Sequence, residues 1–247
     1  MKILSLSTAT NNLSVAINEG TKNLVELNQL DQRNHSVNIM PTIQEALTTA
    51  QLKITDIDEF AVAIGPGSYT GIRIGVTTVK VLADQLHKMT AGISTLQALA
   101  LNCQQPAQLI VSLLDARNDN FFAGAYTKAT DGPLKNVIKD QHLSLDKLIE
   151  LLKLKLGDDN YQGVYLVGDY TAAHKQKIAA SLPLLTVSDN EADNLVHAKN
   201  IATLALGAKL TDPNALVPKY LRKTQAEVEW EQKTGESSKD ISYVEEV

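Results

Sequence analysis

Cysteine, aromatic residues and long apolar runs are all scarce in this sequence. Cys103 is the single cysteine among 247 residues, so no disulfide can form within the chain. Aromatic residues make up 4% of the chain and hydrophobic residues 44%, which predicts a core of alanine, valine, isoleucine and leucine, as in α/β proteins. No apolar stretch is long enough to span a bilayer, and Lys2 leads into a strand that soon turns polar rather than into a signal peptide. We therefore expect a cytoplasmic protein that does not associate with membranes.

Positive charge is also scarce, and this limits which partners the chain can hold. The formal net charge is −5, and residues 231–247 carry five acidic side chains against two lysines. A phosphate backbone is bound by clustered lysine and arginine side chains, which this composition does not supply. We therefore expect no strong direct binding of nucleic acid, and another chain would make most of any contact with tRNA or DNA.

Metal ligands at a useful spacing are missing too. The five histidines are scattered along the chain, and no His-x-x-x-His pair would aim two imidazoles at one ion. The sequence also shows no evident grouping of serine, histidine and aspartate residues of the kind used in nucleophilic catalysis. We predict no metal site and no catalytic residues.

Apolar residues recur with the periods of strands and helices through the first hundred residues. Period-two alternation and short apolar runs predict strands at residues 2–7, 13–17, 24–29 and 60–64. A helix is predicted over residues 36–50, distorted near Pro41. Its buried stripe would contain Val37, Met40, Ile43 and Leu47. Two further helices follow, and Ser94 caps the second of them.

The second half of the chain repeats the first. Residues 110–113 copy residues 3–6, and residues 164–168 echo residues 62–65 at nearly the same offset. The fold class is therefore α/β, with two β-β-β-α-β-α halves of the actin-like, Hsp70-ATPase (ribonuclease H-like) type, in which a nucleotide lies in the cleft between halves. We place the halves at residues 1–105 and 106–230, divided by a linker near 104–106, and a disordered acidic tail at 231–247.

A glycine-rich segment between a strand and a helix is the most specific local pattern. It reads Ile64-Gly65-Pro66-Gly67-Ser68-Tyr69-Thr70-Gly71-Ile72-Arg73-Ile74-Gly75. It is neither a Walker loop, which ends in Gly-Lys-Ser/Thr, nor the dinucleotide fingerprint. Glycine permits backbone angles closed to other residues, and free N–H groups at a helix start attract anions. Two interpretations stay open: ordinary turn chemistry, or a phosphate site formed by Thr8, Thr10, Gly65, Gly67, Ser68 and Thr70.

This segment and four others are similar to the TsaB (YeaZ) family. The others are residues 3–10, 35–41, 115–119 and 216–222. The resemblance implies the duplicated actin-like fold and a non-catalytic scaffold that binds and activates TsaD, with the ATPase TsaE. TsaD transfers a threonylcarbamoyl group to N6 of the adenosine beside the tRNA anticodon, giving t6A. The resemblance also implies homodimers formed through the same surface, no tightly bound cofactor, and ATP or ADP at the contact with TsaD. The alternative is a stand-alone actin-like small-molecule kinase or ATPase, because the fold and the glycine turn would suit phosphate.

The helix after the glycine segment is the predicted docking surface for TsaD. Arg73, Thr77 and Lys80 lie on its polar side, and Gly71 and Gly75 would let a second helix come close. Packing on the chain's own sheet would equally explain the two glycines. With the family resemblance, we expect charge reversal at Arg73 or a bulky residue at Gly75 to abolish TsaD binding while the monomer stays folded.

Ser7 departs from the family pattern. Many TsaB sequences keep an acid at this position, and a hydroxyl cannot hold a cation with a formal charge. This departure argues against independent ATP hydrolysis.

Overall fold

In the computed structural model the chain folds into two five-stranded mixed sheets, each covered by helices. The structure describes residues 1–30, 34–103, 108–128, 132–158, 161–182, 185–188, 190–222 and 233–234. The predicted linker at 104–106 lies outside these ranges, as does the predicted tail at 231–247 apart from residues 233–234. Within the described ranges, no helix combines the length and the apolar character needed to cross a membrane.

The first sheet is built from the first half of the chain. Its elements are β1 (Lys2–Ser7), β2 (Asn12–Glu19), β3 (Lys22–Leu30), α1 (His35–Thr49), β4 (Glu59–Gly65), α2 (Tyr69–Gln85), β5 (Met89–Ser94) and α3 (Thr95–Ala100). The strand order is β3-β2-β1-β4-β5, with antiparallel pairing from β1 to β3 and parallel pairing of β4 and β5. The four predicted strands are confirmed.

The second sheet repeats this topology. Its elements are β6 (Gln108–Asp115), β7 (Asn120–Lys128), β8 (Leu134–Ser144), α4 (Leu145–Asp158), β9 (Gly163–Gly168), α5 (Ala172–Ser181), β10 (Leu185–Val187) and α6 (Ala198–Ala205). The order β8-β7-β6-β9-β10 matches that of the first sheet strand for strand. Gly65 and Gly168 end the equivalent strands β4 and β9, with φ values of +117° and +118°. The predicted duplication and the actin-like fold class are confirmed.

The last helix of each half covers the sheet of the other half. α3 packs on β6 and β7, whereas α6 packs on β1 and β2. Val196, Ile201 and Leu216 accordingly lie in the core of the first sheet. The predicted division at residues 105 and 106 falls between the two sheets, but residues 196–219, which we assigned to the second half, pack on the first.

Buried polar side chains of the first sheet hold the start of α6. Ser5 Oγ donates to the carbonyl oxygen of Ala198 at 2.7 Å, and the Ala198 N–H donates to Ser14 Oγ at 2.8 Å. Asn12 Nδ2 donates to the carbonyl oxygen of Val196 at 3.1 Å. A buried hydroxyl or amide is costly without a partner, so these side chains fix where the returning chain can sit.

The buried face of α1 differs from the predicted stripe. Ile43 and Leu47 are buried as predicted and Ile39 is buried beside them, whereas Val37 and Met40, which the periodicity also assigned to the core, are exposed. Both sets satisfy a 3.6-residue spacing, so the pattern alone could not choose between the two faces. The helix runs without interruption through Pro41.

A buried carboxyl at the start of β4 makes stability depend on pH. Glu59 is 3% exposed, its Oε1 has no hydrogen-bond partner among the described residues, and burial raises its pKa from 4.5 to about 6. The folded state therefore binds this proton more tightly than the unfolded state, and the free energy of unfolding falls as the pH rises from about 4.5 through 6. We expect Glu59→Gln to remove this fall and to raise the free energy of unfolding at pH 8 by about 2 kcal/mol. Urea denaturation at pH 5 and pH 8 checks this, and equal stabilities of the two proteins at pH 8 would contradict it.

An ion-pair network fastens the start of α6 to β3. Glu26 Oε2 lies 3.0 Å from His197 Nδ1 and 3.3 Å from Lys199 Nζ, and Glu26 Oε1 accepts from the Lys199 N–H. Burial alone would raise the pKa of Glu26, but the hydrogen bond and charge of His197, together with Lys199, lower it from 4.5 to about 2. The hydrogen bond to Glu26 in turn raises the pKa of His197, against the effect of burial.

This network contributes most to stability between about pH 4.5 and 6.5. The contribution of Glu26 is complete above its unfolded pKa and is lost as the pH falls toward 2, while that of His197 is lost as the pH rises through its raised pKa. We expect Glu26→Gln to lower the free energy of unfolding by about 3 kcal/mol at pH 5.5, and by less at pH 3 and pH 9. Urea denaturation at the three pH values measures the effect. A loss of the same size at all three would mean that charge pairing is not its source.

Candidate functional site

The glycine-rich segment between β4 and α2 packs against the chain's own backbone. A Cβ at Gly67 would lie 2.2 Å from the carbonyl oxygen of Ala9, and a Cβ at Gly65 would lie 2.5 Å from that of Lys219. Both glycines have positive φ, which disfavours other residues there. The Ser68 N–H donates to the carbonyl oxygen of Ala9 at 2.7 Å, and the Ser68 hydroxyl caps α2. These contacts fasten the start of α2 to the loop between β1 and β2.

Gly71 and Gly75 also face this loop rather than solvent. A Cβ at Gly71 would lie 2.0 Å from the carbonyl oxygen of Thr8, and one at Gly75 would lie 2.5 Å from Thr8 Oγ1. Thr8 Oγ1 donates to the carbonyl oxygen of Gly71 at 2.6 Å. Both glycines are buried in the isolated chain, which favours the packing alternative, and their part in a partner surface stays a prediction. A bulky residue at Gly75 would therefore disturb the monomer itself.

A cleft of about 810 Å³ lies between the two halves. One wall contains the loop after β1 and the start of α2, and the other contains the turn after β6 and the end of β9. Four of the six residues of the predicted phosphate site line this cleft, namely Thr10, Gly67, Ser68 and Thr70. The other two are held by contacts within the fold, Thr8 against Gly71 and Gly65 against Lys219.

The second wall of the cleft carries two carboxylates and a turn with unusual backbone angles. Asp115 ends β6, and Asp169 directly follows β9. Burial raises the pKa of Asp169, the negative charge of Asp115 raises it further, and His174 opposes both. The Arg117 N–H donates to Asp115 Oδ1 at 2.8 Å, and three consecutive residues from Arg117 to Asp119 have left-handed φ. Such backbone angles persist only where surrounding contacts hold them.

The fold implies a metal-bound nucleotide in such a cleft, and the first hairpin does not fit one. Ser7 is fully buried, and its hydroxyl accepts from the Ala9 N–H at 3.3 Å. Thr8 is also buried and its hydroxyl donates to the carbonyl oxygen of Gly71, so both hydroxyls at the end of β1 are buried and hydrogen-bonded within the fold. Among the described residues, no group of three or more His, Cys, Asp and Glu side chains could hold a metal ion. A hard divalent cation is held mainly by carboxylate oxygens, which this hairpin lacks.

α1 and α2 lie side by side on one face of the first sheet and expose apolar side chains. Val37 and Met40 on α1 are 69% and 50% exposed, and Tyr69 and Val81 on α2 are 41% and 56% exposed. We call these four residues the α1–α2 face. Several large apolar side chains on two adjacent helices are typical of a protein–protein contact surface.

The predicted docking residues on α2 have different surroundings. Arg73 and Thr77 are exposed, whereas Lys80 is half-buried. The Arg73 guanidinium lies 4.2 Å from the centre of the Tyr69 ring, and Lys80 Nζ donates to the carbonyl oxygen of Asn214 at 3.1 Å. Arg73 and Lys80 therefore also hold other parts of the chain.

Residues 211–222 run along α2, and we call them the strap. The Lys219 N–H donates to the carbonyl oxygen of Ile64 at 2.8 Å, and the Tyr220 ring stacks on Tyr69 at 4.8 Å between centres. Residues 216–222 form a loop packed on the body of the protein. The strap's partners are more than a hundred residues away in sequence, so no local signal points to these contacts.

Comparison with known proteins decides the family. The tRNA threonylcarbamoyladenosine biosynthesis protein TsaB of Bacillus subtilis is 33% identical over 230 residues, which cover 93% of this chain and 98% of the relative. The chain belongs to the TsaB family. TsaB of Escherichia coli is 36% identical over 135 residues, covering 53% of this chain and 58% of the relative. TsaB relatives are named for t6A biosynthesis, and membership supports a part in that process for this chain.

Two further comparisons agree with the TsaB assignment. The family model described as "TsaD: tRNA N6-adenosine threonylcarbamoyltransferase" matches residues 28–230, so the chain also belongs to the family that this model describes. YeaZ from Pseudomonas aeruginosa superimposes with a TM-score of 0.73 at 22% identity, covering 89% of this chain and all of that one. The second match shows the shared fold.

Proposed function

We propose that this protein is a non-catalytic scaffold and activator that binds a TsaD-type threonylcarbamoyltransferase through the α1–α2 face. In this proposal TsaE completes the assembly, which forms t6A on tRNA in the cytoplasm. The observation that carries the proposal is the exposure of Val37, Met40, Tyr69 and Val81 on two adjacent helices. Burying these side chains in a complex would remove apolar surface from water, at a gain of about 25 cal/mol per Å².

A partner of related fold suits this face. The family model that matches residues 28–230 of this chain is the one described for TsaD. A partner built on a related half could present an equivalent pair of helices, and so could a second copy of this chain. We therefore propose that the isolated protein forms a homodimer through the α1–α2 face and that TsaD displaces the second copy.

Polar residues on α2 would form the rim of this contact. Arg73 and Thr77 are exposed beside the apolar side chains of the α1–α2 face. We retain the expectation that charge reversal at Arg73 abolishes TsaD binding. Its reason is now specific, because the Arg73 guanidinium lies over the exposed Tyr69 ring and its Nε donates to Tyr220 Oη at 2.8 Å.

The contacts of the histidines support a structural role for them. His35 Nε2 lies 2.9 Å from the carbonyl oxygen of Thr10, His174 Nδ1 accepts from the Thr171 N–H, and His197 pairs with Glu26. Each of the three stabilises a loop, a helix start or a helix junction.

We propose that ATP or ADP binds at the contact with TsaD and that tRNA is reached only through the complex.

The alternative of a stand-alone kinase or ATPase is favoured by one observation, the 810 Å³ cleft lined by Thr10, Ser68 and Thr70. The buried Ser7 at the end of β1 opposes it. Calorimetric titration of the isolated chain with Mg-ATP separates the two functions. A scaffold shows no tight binding and no turnover, whereas an enzyme shows both.

Binding to TsaD of the same organism tests the proposal directly. Analytical ultracentrifugation of the two purified proteins, alone and mixed, should show the homodimer of this chain replaced by a complex with TsaD. Persistence of the separate species at micromolar concentrations would overturn the proposal.

A further inference from the structure

The strap joins the proposed docking helix to the opposite half of the molecule. At its start, the backbones of Thr211 and Thr90 exchange two hydrogen bonds, which fixes the strap to β5. In its middle, Leu216 is buried in the core of the first sheet. At its end, Arg222 Nη1 donates to the carbonyl oxygen of Ala116 in the turn after β6, at 3.1 Å. The strap therefore begins on one half and ends on the other, across the cleft.

Tyr69, Arg73 and Tyr220 form an exposed clasp between the strap and the start of α2. The two rings stack at 4.8 Å with 29° between their planes, and the Arg73 guanidinium lies 4.2 Å from the Tyr69 centre. Arg73 Nε also donates to Tyr220 Oη at 2.8 Å. Both tyrosines are exposed, so water competes with these contacts and each is weak in the free protein. A protein surface that covers the clasp would exclude this water and strengthen it.

Arg222 holds the far end of the strap against the second half. Arg222 donates a hydrogen bond to Ala116. The pKa of His142 on β8 is lowered mainly by burial and, to a smaller extent, by the positive charge of Arg222. The turn that it contacts is kept together by hydrogen bonds from Ala116 N–H to the carbonyl oxygen of Asn120 and from Asn120 N–H to that of Arg117. The left-handed residues of this turn are unfavourable by themselves, so an additional anchor affects how often it opens.

We propose that the strap couples the α1–α2 face to the turn of residues 115–120 on the opposite wall of the cleft. Docking of the TsaD-type partner covers the clasp. Tyr220 is part of the surface that the partner contacts only when the strap lies against α2. The partner therefore binds the state with the strap in place more tightly, which shifts the population toward it. Through Arg222, the turn opens less often when the partner is bound. This inference rests on the proposed function and assigns a regulatory role to residues 211–222.

Hydrogen exchange measured by mass spectrometry, with and without saturating TsaD, tests this coupling. In the wild-type protein we expect slower exchange in peptides of α1 and α2, where the partner binds. We also expect slower exchange in residues 115–120, by about fivefold or more. In Arg222→Met, which keeps the length of the side chain but removes the donor, protection of α1 and α2 should remain and that of the turn should disappear. The matched control is Lys209→Ala, which removes a charge from an exposed position just before the strap.

The outcomes separate the coupling from the proposed function. If α1 and α2 gain no protection in the wild type, the proposed docking face is wrong. If they gain protection while residues 115–120 do not, the docking face stands and the coupling is overturned. Protection of the turn that survives in Arg222→Met also overturns it. The wild-type comparison decides the matter by itself should Arg222→Met fail to fold.

Discussion

Gly71→Ala will lower the free energy of unfolding by about 3 kcal/mol. The added Cβ would lie 2.0 Å from the carbonyl oxygen of Thr8 and 3.2 Å from Ser68 Cβ. The carbonyl oxygen of Thr8 belongs to the backbone of the hairpin on which α2 packs. The clash can therefore be removed only if α2 moves away from β1. Urea denaturation followed by circular dichroism measures the loss.

Gly157→Ala is the matched control for this substitution. Gly157 lies near the end of α4 with no atom within 4 Å of an added Cβ, and it is exposed. Alanine is the better helix former, so we expect unchanged or slightly higher stability, by up to about 1 kcal/mol. Equal midpoints for wild type, Gly71→Ala and Gly157→Ala would show that the close packing of the glycine helix on the hairpin is not as described.

The double variant Val37→Glu, Met40→Glu will weaken binding to TsaD by a factor of about 100 or more, equivalent to about 2.7 kcal/mol. Both side chains are exposed in the free protein, so the charges are solvated there and the fold is unaffected. In the complex they would be buried without partners, which is strongly unfavourable. Isothermal titration of TsaD with each protein measures the change in the dissociation constant.

Leu154→Glu serves as the control for the double variant. Leu154 lies on α4 in the second half and is 67% exposed, comparable with Val37. We expect its affinity for TsaD to equal that of the wild type. If Leu154→Glu weakened binding as much as the double variant, the docking surface would not be the α1–α2 face.

The sequence was sufficient for the fold because its signals are local and repeated. Period-two strands, the strand–glycine–helix junction at Gly65 and the echo at Gly168 each depend on a few neighbouring residues, and the duplication doubles the signal. Capping behaves in the same way, since Ser94 accepts from the Gln97 N–H three residues on. Such features can be recognised without knowing how the rest of the chain folds.

The parts of the site that could not be predicted depend on contacts distant in sequence. Periodicity showed that α1 is amphipathic but not that Ile39 rather than Met40 faces the core, because that depends on where the sheet lies. The small size of Gly71 and Gly75 was visible, but not that Thr8 occupies the space beside them. The strap's contact between Arg222 and Ala116 spans 106 residues and has no counterpart in any local pattern.

The central claim, that this chain assists a catalyst and is not one, is tested most directly by reconstituting t6A formation. Purified TsaD, TsaE, threonylcarbamoyl-adenylate and tRNA are combined with and without this chain, and modified nucleoside is quantified after digestion. We predict product from the full mixture, loss of product when this chain is omitted, and none from this chain with adenylate and tRNA alone. Equal product with and without it, or product from the isolated chain, would contradict the account.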